Sequence, residues 1–319
     1  MAIGPCNSAF TQRKPTTNCP VLPWQHKTWE AFVSGGPGGD VKRDLQVGIA
    51  QWLAAPGEPK RNMQIALDMV DLAYSRGVEL LVLPELWPCG YDPATLPDDA
   101  RQAAESLDGP RTKRLSAAAL AANLWLIAGS VPELGPEGEL YNTALVFNPQ
   151  GDLVAWHRKA HLYPPTSEPS VFRPGNCITT FEDPSLGVVG VVICFEGDFP
   201  EVARTLALRG ARLVVAPSAY EVERADAWDL LYPALALSNS LWWVQSNQCG
   251  AHAATTLLGA SRIVAPTGTV VVEGTRAVPG GSHPPELLVQ RIDLQLAYQR
   301  DGIGALLEDG RRPLLYFTG

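Results

Sequence analysis

A duplicated, four-layer α-β-β-α sandwich of the α/β class is the architecture to expect of this 319-residue chain. Three observations lead there. Segments in one half echo segments in the other, in the same order. The echoed strands are apolar almost without interruption, as strands covered on both faces are. And 46 % of the residues are apolar against 18 % charged, the balance of a chain with a large core.

The elements follow in order. Residues 1–44 read as an irregular N-terminal extension, because Pro5, Pro15, Pro20, Pro23 and the run Gly35-Gly-Pro-Gly-Gly39 interrupt any period. A single domain, 45–319, follows, with a C-terminal arm from about 296. Its leading strand, Val47-Gly-Ile-Ala-Gln51, is matched by Val189-Gly-Val-Val-Ile-Cys194. Ile65, Met69, Leu72 and Ala73 lie on one helical face, and Gly77 suits the left-handed position past its end. The run Arg76-Gly-Val-Glu-Leu-Leu-Val-Leu-Pro84 returns as Arg209-Gly-Ala-Arg-Leu-Val-Val-Ala-Pro217. Ala119–Ser130 and Leu235–Ser246 are each a helix running into an apolar strand. Asn142–Val154 and Ser261–Val272 are each a hairpin turning at Pro-x-Gly. Each half therefore reads β-α-β-α-β-β. Two such sheets, packed together with helices outside, bury every apolar face.

Composition excludes several classes. The 25 Lys+Arg against 33 Asp+Glu leave a net charge of −8, so no nucleic-acid partner is expected. The longest apolar run, Gly187 to Phe195, is far short of the roughly 20 residues of a membrane helix. The N-terminus lacks the pattern of a signal peptide. Six scattered cysteines without CxxC spacing fit reduced thiols and a cytoplasmic protein.

Ligands of open α/β sheets bind beyond the carboxyl ends of strands, and three reactive residues stand at such ends. Cys194 follows the strand Val188–Ile193 and could be a nucleophile whose oxyanion is held by the N–H groups of the turn behind it. Glu85 follows Leu80–Leu83 through Pro84, in apolar company that raises a carboxyl pKa, and could serve as general base. Lys159 follows Leu153–Arg158 and could supply a fixed positive charge. Taken singly, each has a plainer reading: an inert strand-end thiol, a loop carboxylate, a solvated lysine. The question is whether the three meet. His157 and His161 have i, i+4 spacing, but their segment reads as strand leaving into loop and HExxH is absent, so no metal site is expected. GxxxxGK[ST], GxSxG and GxGxxG signals are also lacking.

With these residues in view, the sequence resembles the nitrilase, or carbon–nitrogen hydrolase, superfamily over about Val47 to Tyr316. The resemblance rests on Leu83-Pro-Glu-Leu-Trp87, His157-Arg-Lys-Ala-His-Leu-Tyr163 and Val192-Ile-Cys-Phe-Glu-Gly-Asp-Phe-Pro-Glu201, in that order on the duplicated pattern. It implies a Glu-Lys-Cys triad of Glu85, Lys159 and Cys194, a thioester route and no metal or organic cofactor. It implies a second active-site glutamate at Glu168, positioning Lys159 or the substrate. It also implies that Arg311–Tyr316 belongs to an arm reaching across a homodimer or larger homo-oligomer.

The texture after Cys194 is that of the amidase and carbamoylase branches, so a small amide is the expected substrate. An N-carbamoyl compound or a nitrile is the alternative. The rival from another class is a non-catalytic binding or scaffold member, which the intact triad disfavours. Phe195, Tyr91, Tyr220, Trp87 and Trp228 are candidate pocket walls, with core packing as the alternative for each. Glu196 stands where the family shapes its pocket. Trp242 and Trp243 lie inside a strand pattern and are expected in the core.

Overall fold

The computed structural model describes residues 41–278, 281, 283–299, 301–312 and 315–316. All fall within the unit Pro37–Gly319. The expected N-terminal extension lies outside the described residues up to position 40.

The first half runs β1 (Leu45–Gln51), α1 (Pro59–Ser75), β2 (Leu80–Val82), α2 (Leu96–Ala103), α3 (Pro110–Ala122), β3 (Trp125–Leu134), β4 (Leu140–Phe147) and β5 (Leu153–Arg158). A four-residue helix, α4 (Glu168–Val171), leads to the second half. That half runs β6 (Thr179–Asp183), β7 (Gly187–Val191), α5 (Pro200–Leu208), β8 (Ala211–Ser218), α6 (Ala225–Asn239), β9 (Trp242–Asn247), the small pair β10 (Cys249–Ala251) and β11 (Thr256–Leu258), then β12 (Arg262–Val264) and β13 (Val270–Glu273). The chain returns through β14 (Glu286–Ile292) and α7 (Ile303–Asp309).

Two six-stranded sheets result, in the orders β14-β1-β2-β3-β4-β5 and β13-β12-β9-β8-β7-β6. The duplication extends to strand direction. β1, β2 and β3 are parallel, as are β7, β8 and β9, and each trio is flanked by antiparallel strands. The helix exits repeat too. Asn123, after α3, and Ser240, after α6, both adopt left-handed backbone, at φ 48° and 50°, one residue before a Leu-Trp pair. Gly77 and Gly210 do the same at φ 67° and 93°, where a side chain would be strained.

Alternation along each strand decides the layers. Val47, Ile49, Leu80 and Val82 of the first sheet meet Val189, Val191, Leu213 and Val215 of the second in one core. Ala50 and Leu81 face the other way, onto Met69, Val70, Leu115 and Ala119 of α1 and α3. Trp242 and Trp243 are buried in the core as expected. α7, within the expected C-terminal arm, packs on α6 of its own chain. Among the described residues no helix is long and apolar enough to cross a membrane.

Candidate active site

Glu85, Lys159 and Cys194 arrive from three strand ends and meet. Glu85 follows β2 through Leu83 and Pro84, and its backbone is held from several sides. Its N–H donates to the Ser218 carbonyl at the end of β8 (3.2 Å), and its carbonyl accepts from Gln248 Nε2 (2.8 Å). The next N–H, of Leu86, donates to Ser130 Oγ (3.0 Å). β3 makes room for this loop with an irregularity between Ile127 and Ser130. Gly129 sits inside it at φ 65°.

Lys159 follows β5 directly. Its N–H donates to the Asn142 carbonyl and its own carbonyl accepts from the Gly175 N–H, both at 2.8 Å. The ammonium Nζ lies 2.8 Å from Glu85 Oε1 and 2.8 Å from Glu168 Oε1, with all three side chains fully buried. Asn142 Nδ2 also donates to Glu85 Oε1 (2.8 Å). Glu168 is fixed in turn by the Tyr91 hydroxyl on Oε1 (2.6 Å) and the Tyr163 N–H on Oε2 (2.9 Å).

Cys194 opens a 3₁₀ turn, Cys194–Asp198, at φ 50°. Left-handed backbone is uncommon for a residue with a Cβ, and such strain gathers at functional sites. The sulfur is within reach of the Ala219 N–H and of the Glu85 carboxylate. Glu85 Oε2 is buried with no hydrogen-bond partner among the described residues, so the carboxylate keeps an acceptor site in hand.

Burial and charge set the protonation states. Burial pushes the Cys194 thiol well above the ordinary cysteine range; the Glu85 charge adds to this and Lys159 opposes it. Burial also raises Glu85 against the pull of Lys159. For Lys159 burial acts downward, but Glu168 and Glu85 outweigh it and hold the ammonium above the ordinary lysine range. A thiol made harder to ionise, beside a carboxyl group of raised basicity and a lysine held as a cation, suits proton transfer at the moment of attack.

A cavity of about 320 Å³ opens over Cys194, within the range of small-molecule sites. Phe195 and Tyr220 line it, together with Tyr163, Asp198, Glu221 and Arg224. Other candidate wall residues lie elsewhere. Tyr91 is 1 % exposed and stands behind Glu168. Glu196 lies beneath the turn, where its carboxylate accepts from the Ile193 and Ala160 N–H groups (2.8 and 2.6 Å) and pairs with His157 Nε2 (2.7 Å). It thereby ties the Cys194 turn to the Lys159 strand end. Trp87 packs on Trp52 and donates to the Ala128 carbonyl. Trp228 packs tilted against Tyr220 and edge-on to Tyr232 and donates to the Ala260 carbonyl. Both tryptophans are core, because each indole is large enough to need full burial and finds its N–H partner there.

Sequence reasoning missed Asn142, Asp198, Glu221 and Arg224. Only Asp198 had a signal, its place in the turn after Cys194. No group of three or more metal-ligating side chains gathers among the described residues.

A family model described as carbon-nitrogen hydrolase matches residues 46–300. An omega-amidase of Xenopus tropicalis is 32 % identical over 238 residues, covering 72 % of this chain and 84 % of that protein. An omega-amidase of Mus musculus is 33 % identical over 221 residues, covering 66 % and 78 %. Among solved structures, a mutant amidase from Nesterenkonia sp. AN1, with the acetamide moiety of fluoroacetamide added covalently at its active-site cysteine, superposes with a TM-score of 0.72 at 27 % identity, covering 85 % of this chain and 95 % of that one. A Saccharomyces cerevisiae member of branch 10 of the nitrilase superfamily gives a TM-score of 0.72 at 26 % identity, covering 82 % and 94 %.

Proposed function

The chain belongs to the carbon–nitrogen hydrolase family, the nitrilase superfamily, and from that premise we propose that it is an amidase converting a small amide to a carboxylic acid and ammonia through a thioester on Cys194. One observation carries the reading: a buried Glu85 carboxylate paired with the Lys159 ammonium and close enough to the Cys194 thiol to act on its proton, beside a cavity that Cys194 lines.

Glu85 takes the Sγ proton as the sulfur adds to the amide carbon. Lys159 and the Phe195 N–H hold the charge that develops on oxygen. Glu85 returns the proton to the departing nitrogen, and ammonia leaves a thioester. Glu85 then deprotonates water, which adds to the thioester carbon; collapse releases the acid and restores the thiol. Glu168 keeps Lys159 in place. The covalent acetamide on the active-site cysteine of the Nesterenkonia amidase supports a nucleophilic role for Cys194. The family likeness of the tail also supports a homodimer or larger homo-oligomer, which sedimentation equilibrium tests.

The decisive experiment is ammonia release from short amides, N-carbamoyl compounds and nitriles, with Cys194→Ala beside the wild type. Amide turnover that vanishes in the variant is the expected result. Preference for a carbamoyl compound or nitrile would move the chain to another branch. No turnover of any class by folded protein would favour a binding role.

A further inference from the structure

We infer that Asp198 is the specificity-determining residue of the cavity, and that the amide hydrolysed here carries an ammonium group on its acyl chain, seated against the Asp198 carboxylate. The inference rests on the amidase reading and names its substrate class.

Asp198 is four residues past Cys194, in the same turn, on the wall of the same cavity. Its Oδ1 accepts from the Tyr232 hydroxyl (2.7 Å) and its Oδ2 from the Tyr220 hydroxyl (3.1 Å). Both donors are neutral, and among the described residues no cationic side chain forms an ion pair with it. A carboxylate offers about four acceptor sites, so two tyrosines leave capacity for a ligand donor. Burial pulls its carboxyl above the ordinary aspartate range, with the two hydroxyls opposing. Asp198 is half-buried, and the charges of Lys159 and Arg224 act on it without forming an ion pair; a ligand ammonium would supply a direct partner.

The nearest competing reading is a carboxylated amide held by Arg224. Arg224 is exposed at the mouth, where its Nε donates to the Tyr163 hydroxyl (3.2 Å). That hydroxyl donates in turn to Glu221 (3.2 Å), so a carboxylate stands across the phenol from the guanidinium and acts on its charge. Among the described residues around the cavity and the cluster beneath it, the carboxyl groups of Glu85, Glu168, Asp198 and Glu221 face two cations, Lys159 and Arg224. That excess of negative charge in a low-dielectric cleft draws cations and repels anions. Phe195, Ala219, Pro164 and Pro165 form apolar wall suited to the methylene stem between amide and ammonium.

The test compares kcat/KM for three amide classes of equal chain length: omega-amino acyl amides, unsubstituted acyl amides and half-amides of dicarboxylic acids. We expect the amino amides to exceed the half-amides by about ten- to a hundredfold, the worth of a charge-assisted hydrogen bond. Asp198→Asn should collapse that ratio to within about threefold. Should the variant fold poorly, wild-type inhibition decides instead. Alkylammonium ions should compete with an unsubstituted amide substrate more strongly than alkyl carboxylates of equal length. Equal or better turnover of the half-amides, or a ratio unmoved in Asp198→Asn, overturns the inference and leaves the amidase reading standing. Failure of all three classes overturns both.

Discussion

Gly129 and Pro84 approach so closely that a Cβ on Gly129 would lie 2.1 Å from the Pro84 carbonyl oxygen. Gly129 also needs φ 65°, which costs a residue with a side chain about 1–2 kcal/mol on its own. Gly129→Ala should therefore lower stability by more than about 2 kcal/mol. It should also reduce turnover, because Pro84 carries Glu85. Urea unfolding and kcat on the same preparation check both; unchanged kcat would detach the bulge from the site.

Glu85→Gln removes the proposed proton acceptor while keeping shape and an oxygen for Lys159. The fold should persist and kcat should fall by about 10²–10⁴, the range for loss of general acid–base catalysis. Mass spectrometry of protein quenched with substrate should detect no acyl adduct on Cys194. Unchanged turnover would end the assignment.

Lys159→Ala leaves Glu85 and Glu168 facing each other without their shared cation. Breaking a buried pair from one side costs about 3–5 kcal/mol, and loss of an oxyanion donor costs about 10²–10³ in kcat. Chemical denaturation and steady-state kinetics measure the two losses separately. A rise in KM at constant kcat would instead make Lys159 a binding residue.

Glu196 should set an acid limit on the fold. Burial raises its carboxyl, but the charge and hydrogen bond of His157, with further bonds from His161 and the Ala160 N–H, outweigh that and hold it far below the ordinary value of 4.5. A carboxyl whose folded pKa is depressed contributes stability in full above its unfolded value and loses it as pH falls through the interval below. Thermal melts should therefore show stability declining from about pH 5 downward. Glu196→Gln should start lower at neutral pH and decline less steeply. A parallel acid limb in the variant would exclude Glu196 as its cause.

The architecture was legible because it is written locally. Near-continuous apolar strands, helices closed by Gly77 and Gly210, and the recurrence of these units in the second half belong to segments of a dozen or so residues. A chain that repeats such segments in order has few ways to bury them. The same local grammar put Glu85, Lys159 and Cys194 at strand ends, where α/β sheets expose reactive groups. Which side chains answer them was decided only in three dimensions. Lys159 meets Glu85 across 74 positions and Asn142 meets Glu85 across 57, separations at which pattern and propensity carry no information. Tyr91 and Glu196 went behind the site, and Trp87 and Trp228 into the core, because a buried polar atom must find its partner wherever packing leaves one. Asp198 reached the cavity wall for the converse reason: the hydroxyls of Tyr220 and Tyr232 satisfy part of its carboxylate where the turn after Cys194 brings it.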